Sequence, residues 1–321
     1  MRLGDTDDGR CMNWTRYFWP LIGLAAVAFS IWLLIGELQG ISLDDVWDGL
    51  TAISTWRWFL SAFCAVAAYA ALAAYDHLAL LHLNRRVSWL FVTLCSFTTY
   101  ALSHNIGGSV FSGAVIRYRA YGTKGLSGHD VGILVGICWI TFILATLLVS
   151  GIVLLIEPDL FDRFSDIGYT SVSAGAGALM LLVVVAYVFG SWLQLQPLKI
   201  GAFEIQYPRL PIVARQLLVG PIELLAAAAI IFFALPASGN PGYLVVLGVF
   251  LASFSAAQIS HAPGGIGVFE VVFLTGLSNM DPAGVVAALL VFRLFYLIVP
   301  LLIALVIVLV FERSQFGRTD N

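Results

Sequence analysis

The sequence predicts an all-α polytopic membrane protein, with about six full transmembrane spans plus two re-entrant helical hairpins arranged as an inverted internal repeat. Three observations predict it. Of the 321 residues, 60% are hydrophobic and only 11% are charged, far from the usage of water-soluble domains. Several uninterrupted apolar stretches reach the roughly 20 residues that carry a helix across about 30 Å of hydrocarbon. Two other apolar stretches are each interrupted by a Ser-His and Gly-Gly cluster, at Ser103 to Gly108 and at Ser260 to Gly265.

The first apolar stretch follows Arg10 and Arg16 and includes Ala26-Val27-Ala28, which resembles a small-residue cleavage site. It continues through Phe29 to Ile35, so it reads as an uncleaved anchor helix from about Tyr17 to Ile35. An acidic loop with Glu37, Asp44, Asp45 and Asp48 leads to a second helix, roughly Trp58 to Leu81. After Arg85 and Arg86, the first broken stretch begins at Trp89 and returns through Arg117, Arg119 and Lys124. Further helices are expected at about Val131 to Ile156, Ala174 to Leu195 and Val213 to Leu235. They are joined by an acidic loop (Glu157, Asp159, Asp162, Asp166) and a more basic one (Lys199, Arg209, Arg215). The second broken stretch runs from Tyr243 to Leu277, and a last helix from about Ala283 to Phe311.

Lys and Arg gather in the cytoplasmic loops of multi-pass proteins, which places the basic loops and both termini in the cytoplasm of a bacterial cell whose inner membrane holds the chain. That parity requires each broken stretch to enter and leave on one side. The alternative, both stretches crossing as pairs of very short helices, has the same parity. The whole chain, 1–321, reads as a single transmembrane domain with no soluble domain.

The broken stretches, about 88–122 and 243–278, match at a constant offset of 157 residues. Val92/Val249, Leu94/Leu251, Ser96/Ser253, Phe97/Phe254, Ser103/Ser260, His104/His261, Gly107/Gly264 and Gly108/Gly265 are identical pairs. Two readings stay open: a likeness of composition between two Gly-containing loops, or related segments entering from opposite faces, which form the inverted repeat of many transporters, whose sites lie near the midplane. Irregular backbone at that depth requires protein or a hydrated cavity around it. The hairpin glycines Gly107, Gly108, Gly264 and Gly265 would let a ligand approach the backbone closely.

The run Ser103-His-Asn-Ile-Gly-Gly-Ser-Val-Phe-Ser-Gly-Ala-Val-Ile-Arg-Tyr-Arg-Ala-Tyr121, with Gly125-Leu126-Ser127, resembles the signature of the transmembrane region of lysylphosphatidylglycerol synthases. Ile259 to Glu270 resembles that family's second signature, and the likeness covers nearly the whole chain. The resemblance implies a flippase for aminoacylated phospholipids. Because the chain ends shortly after its last helix, it also implies translocation without the cytosolic synthase domain of bifunctional members. Stand-alone relatives are linked to other lipids, so the lipid is left open.

An ionisable side chain at the bilayer centre costs about 2.5–3.5 kcal/mol even on gentle scales. The candidates for substrate binding are therefore Asp76, Arg117, Glu223, Glu270 and Arg293, with His104 and His261 at the hairpin tips. The acids suit a headgroup amine; Arg117 and Arg293 suit phosphate or pair with the acids at rest. Asp76 and Arg117 also resemble family positions tied to translocation. Plainer roles stay open: Asp76 can snorkel, Glu270 can cap a helix, Arg293 can neutralise it, and the histidines can bind loop carbonyls.

Net charge is −3, giving no basic surface for nucleic acid. Cys11, Cys64, Cys95 and Cys138 lack metal-ligand spacing and read as small buried hydrophobes. No nucleotide, metal or other cofactor is expected, and no catalytic motif is present. The function expected is a lipid flippase for a charged or aminoacylated phospholipid headgroup, a transporter rather than an enzyme. The alternatives are a lipid-binding subunit that recruits a cytosolic lipid-modifying enzyme, an enzyme using the histidines and Glu270, and a small-solute transporter. Membrane phospholipid is the expected partner, and oligomerisation is left open.

Overall fold

The computed structural model describes residues 42–106, 109–164, 170–195, 198–200, 203–205, 207–260 and 262–319. The predicted anchor helix at 17–35, both glycines of the first turn (Gly107, Gly108) and His261 lie outside the described residues. The helices are α1 (Leu43–Ala52), α2 (Thr55–His82), α3 (Trp89–Ile106), α4 (Ser109–Gly122), α5 (Gly128–Ile156) and α6 (Thr170–Trp192). They continue as α7 (Leu210–Ala234), α8 (Tyr243–Ser260), α9 (Val268–Gly276), α10 (Pro282–Phe292) and α11 (Val299–Thr319).

Among the described residues, six helices are long and apolar enough to cross a membrane. Five of them, α2, α5, α6, α7 and the α10–α11 unit, lie where full spans were expected, within a few residues at each end. The sixth is α8, expected as the first limb of a broken stretch; its 18 residues rise about 27 Å at 1.5 Å each. Apolar side chains point outward as well as inward. Leu179, Leu182 and Val185 of α6 and Leu302, Val306 and Leu309 of α11 are exposed, a pattern that suits hydrocarbon surroundings.

One expectation needs correction. The acidic connection after residue 42 is not a plain loop: it contains α1, started by a capping box in which the Ser42 N–H donates to Asp45 Oδ2 (2.8 Å) and the Asp45 N–H to Ser42 Oγ (3.1 Å). These bonds satisfy N–H groups that a helix start otherwise leaves open. Between α6 and α7 the otherwise helical fold carries one short hairpin, in which Leu198–Ile200 (β1) and Phe203–Ile205 (β2) pair antiparallel, Leu198 opposite Ile205. Leu-Lys-Ile and Phe-Glu-Ile alternate apolar and polar residues, the period of a strand rather than a helix.

The core is packed tightly at small residues. Helices α2 and α7 form the most extensive contact, tied by Ser61 Oγ donating to the Ile230 carbonyl (2.9 Å). Ser96 Oγ likewise donates to the Leu72 carbonyl (3.0 Å), joining α3 to α2. Where α5 meets α6, a Cβ on Gly177 would stand 2.9 Å from the Gly151 carbonyl. Where α5 meets α7, a Cβ on Gly220 would stand 2.6 Å from Ala145 Cβ. Close backbone approach of this kind is how apolar helices associate without a hydrophobic drive between them. Gly220→Ala is therefore expected to overpack the crossing and cost about 1–3 kcal/mol, measured as a lower unfolding midpoint in detergent.

Each broken stretch holds two helices, α3 and α4 in the first and α8 and α9 in the second. In the second, Gly264, Gly265 and Gly267 take φ of +62°, +64° and +85°, a region that disfavours residues with a Cβ. The two limbs of each stretch pack on one another, and the C-terminal end of α3 packs against the 263–265 turn. The predicted last helix is also interrupted, by a π-helical segment, Arg293–Ile298. Pro300 has no N–H to offer the Tyr296 carbonyl four residues earlier. That carbonyl instead accepts from the Tyr69 hydroxyl at 2.9 Å, and the Leu297 carbonyl from Asn105 Nδ2 at 3.2 Å. Side chains of α2 and α3 thus support the widened turn.

Candidate functional site

Asp76 sits on α2 with no exposed surface, and Arg117 on α4 is 4% exposed. Arg117 Nε lies 3.2 and 3.1 Å from the two Asp76 oxygens, and Nη2 is 2.6 Å from Oδ1. The Tyr121 hydroxyl donates to Asp76 Oδ2 at 2.9 Å, and Cys138 Sγ lies 3.5 Å from Oδ1. Arg117 Cζ rests 4.9 Å from the centroid of the Tyr100 ring. A guanidinium fork on a carboxylate, with a ring face behind it, is the arrangement that lets two charges leave water together. Of the two uses expected for Arg117, the structure has it paired with the acid.

Glu223 is 2% exposed on α7, two residues after Pro221, which lies inside the helix. One oxygen accepts from the Tyr296 hydroxyl at 2.8 Å. The other, Oε2, has no hydrogen-bond partner among the described residues. His104 stacks on the Tyr296 ring with centroids 5.3 Å apart, and its Nδ1 is likewise without a partner among the described residues. The Tyr75 hydroxyl reaches towards the Gly220 carbonyl at 3.5 Å.

Arg117, Glu223 and His104 line one cavity of about 100 Å³, walled by Tyr75, Tyr100 and Phe254 among others. Side chains from α2, α3, α4, α5, α7 and α8 contribute to it, so the two halves of the sequence meet there. Asp76 stands behind Arg117 and does not line the cavity.

Glu270 and Arg293 form a second cluster. Glu270 Oε2 accepts from the Gly267 N–H at 2.8 Å and so caps α9. Its Oε1 accepts from Arg293 Nε at 2.5 Å, while Arg293 Nη1 reaches the Gly264 carbonyl at 3.4 Å. The pair braces the glycine turn and is absent from the cavity lining, the plainer of the two roles expected for it. Glu270→Ala removes the cap and leaves Arg293 largely buried without its carboxylate. The expected loss is about 1–3 kcal/mol, checked by the unfolding midpoint and by faster proteolysis near 263–267.

Tyr296, Tyr121, Tyr100 and Asn105 were not singled out from the sequence. Tyr121 was within reach, being four residues after Arg117 on one helical face. Tyr296 was not, because its role depends on how α10–α11 lies against α7. Of the predicted residues, Gly264 and Gly265 form the turn, while Gly107, Gly108 and His261 are outside the described residues.

The chain is 29% identical over 284 residues to the inner membrane protein YbhN of Escherichia coli, covering 87% of this chain and 88% of that one. It is 27% identical to an uncharacterized protein of Synechocystis, covering 92% of each. It also matches a phosphatidylglycerol lysyltransferase of Staphylococcus haemolyticus at 25% identity, over 92% of this chain but 34% of that enzyme. The family model described as the lysylphosphatidylglycerol synthase transmembrane region matches residues 21–304. With that match over most of its length, this chain belongs to the lysylphosphatidylglycerol synthase transmembrane-region family.

Proposed function

We propose that this protein is a multi-pass protein of a bacterial inner membrane that translocates a phospholipid bearing a cationic or aminoacylated headgroup. The single observation that carries this reading is Glu223, which lines the aromatic-walled cavity and whose buried Oε2 has no partner among the described residues. Arg117 is already neutralised by Asp76, so the acceptor left open there is a carboxylate oxygen. A buried carboxylate beside an aromatic-walled cavity suits an ammonium group better than a phosphate.

About 100 Å³ is small against the roughly 300–1,000 Å³ of sites that enclose whole small molecules. It accommodates an ammonium end and not a full headgroup, so passage requires the helix pairs around it to part. The matched sequences of the two broken stretches support an inverted repeat of re-entrant hairpins, one rocking against the other, with both termini cytoplasmic. The barrier lowered is desolvation of the headgroup charge, since the protein supplies fixed partners where the bilayer has none. No chemical step is assigned to the chain.

A second reading has specific support. In the staphylococcal lysyltransferase the matched region is 34% of the enzyme, so this chain can act beside a cytosolic lipid-modifying enzyme as its lipid-binding subunit. Reconstitution decides between them. Purified protein in liposomes with labelled lysylphosphatidylglycerol should redistribute the label between leaflets without any partner. An unchanged distribution under every ion gradient, with label still bound, would favour the subunit reading.

A further inference from the structure

A second, larger recess of about 500 Å³ lies on the far side of the α3–α4 hairpin from the central cavity, against α11. Its walls are apolar: Leu94, Thr98 and Leu102 of α3, Ile116 of α4, and Val306 and Val310 of α11. On α3 these residues alternate with Tyr100 and His104, which face the cavity. The hairpin therefore presents a polar side inward and an apolar side to the groove.

Charge is confined to one end. Arg119 Nη2 pairs with Glu312, 2.9 Å from Oε1 and 3.0 Å from Oε2, and both residues line the groove. Phe91 marks the same end, with Lys124 Nζ held 4.7 Å from its ring centroid. The charged residues lining the mouth are thus the paired Arg119 and Glu312, with Lys124 nearby against Phe91. The Arg119 side chain is 66% exposed, and of the five N–H donors of a guanidinium those on Nε and Nη1 are outside the Glu312 pair. From Phe91 to Leu102 the α3 wall rises about 16 Å at 1.5 Å per residue, a length comparable with an extended fatty acyl chain.

The geometry points to a phospholipid site in this groove, separate from the central cavity: one acyl chain lies along α3 and α11, and the phosphate sits on Arg119 at the mouth. The occupant is a glycerophospholipid because the recess pairs an apolar trench with an exposed guanidinium whose Nε and Nη1 donors lie outside its ion pair, the complement of phosphate oxygens on a hydrocarbon chain. The site stands apart from transport, since none of its walls includes Arg117, Glu223 or His104.

Full-length protein in nanodiscs of phosphatidylethanolamine and phosphatidylglycerol, doped with a phospholipid carrying an acyl-chain diazirine, provides the test. Irradiation should place label on peptides containing Leu94 to Leu102 and Val306 to Val310, several-fold above the exposed α6 surface at Leu179 and Leu182. Leu94→Trp and Val306→Trp, at exposed wall positions, should each lower groove labelling several-fold at an unchanged unfolding midpoint. Arg119→Ala should lower labelling by the phospholipid probe and not by a diacylglycerol probe of the same chain length. Uniform labelling of all lipid-facing helices would overturn the site. So would equal effects of Arg119→Ala on both probes, or crosslinks from the groove to residues 17–35 or to a second copy. Loss of groove labelling with leaflet exchange intact would leave the proposed transport standing, so the two readings fail separately.

Discussion

Arg117→Met is expected to destabilise the protein by about 3–5 kcal/mol, because it strands the Asp76 carboxylate among α2, α4 and α5 without its counter-charge. Asp76 has no exposed surface, and Tyr121 and Cys138 alone cannot replace three contacts from a guanidinium. Asp76→Leu should cost a similar amount by stranding Arg117. The double variant, Asp76→Leu with Arg117→Met, should recover most of the loss, since an apolar pair of similar volume needs no desolvation. Unfolding midpoints in detergent measure all three. If the double variant is no more stable than either single, the pair is not a mutually compensating buried unit. Leaflet exchange by the recovered double variant then separates scaffold from substrate contact: restored exchange assigns the pair to the scaffold.

Glu223→Gln is expected to cut binding and exchange of an amine-bearing lipid about ten- to hundred-fold. A hydrogen bond to a charged group is worth about 1.5–3 kcal/mol, and roughly 1.4 kcal/mol is a factor of ten. Stability should change little, because the amide oxygen of Gln still accepts from the Tyr296 hydroxyl. Exchange at the wild-type rate in this variant would remove the cavity's role in headgroup recognition. Tyr296→Phe is the companion measurement, since it frees the second Glu223 oxygen without altering charge. Lowered exchange in Tyr296→Phe with amine binding retained would mark Tyr296 as a positioning residue for the carboxylate.

Much of the architecture was legible because the bilayer imposes a simple demand on sequence. Helices α2, α5, α6 and α7 appear where their apolar runs do, since a backbone in hydrocarbon must satisfy its own hydrogen bonds. The interruption at 263–267 was legible from its glycines, which take the positive φ that other residues avoid. Helix α1 was legible in principle from Ser42 and Asp45, spaced as a capping box, but its acidic residues read as a loop. The break at Arg293–Ile298 was signalled only by Pro300, and its consequence required knowing that Tyr69 and Asn105 stand opposite the freed carbonyls.

The list of charged residues at bilayer depth came from the sequence alone, because in so apolar a chain each one stands out. Their partners did not. Asp76 and Arg117 are 41 positions apart, Glu223 and Tyr296 are 73 apart, and linear spacing carries no information about such meetings. The sequence by itself determined a polytopic helical membrane protein with two glycine-broken stretches and a short list of costly ionisable groups, because hydrocarbon penalises polar atoms wherever they occur. Only the tertiary structure decided that Arg117 is held by Asp76, that Glu270 braces a turn with Arg293, and that Glu223 lines the cavity with one buried oxygen unpartnered among the described residues. Those outcomes depend on which helix faces meet, and that is set by the packing of small residues such as Gly220 against Ala145.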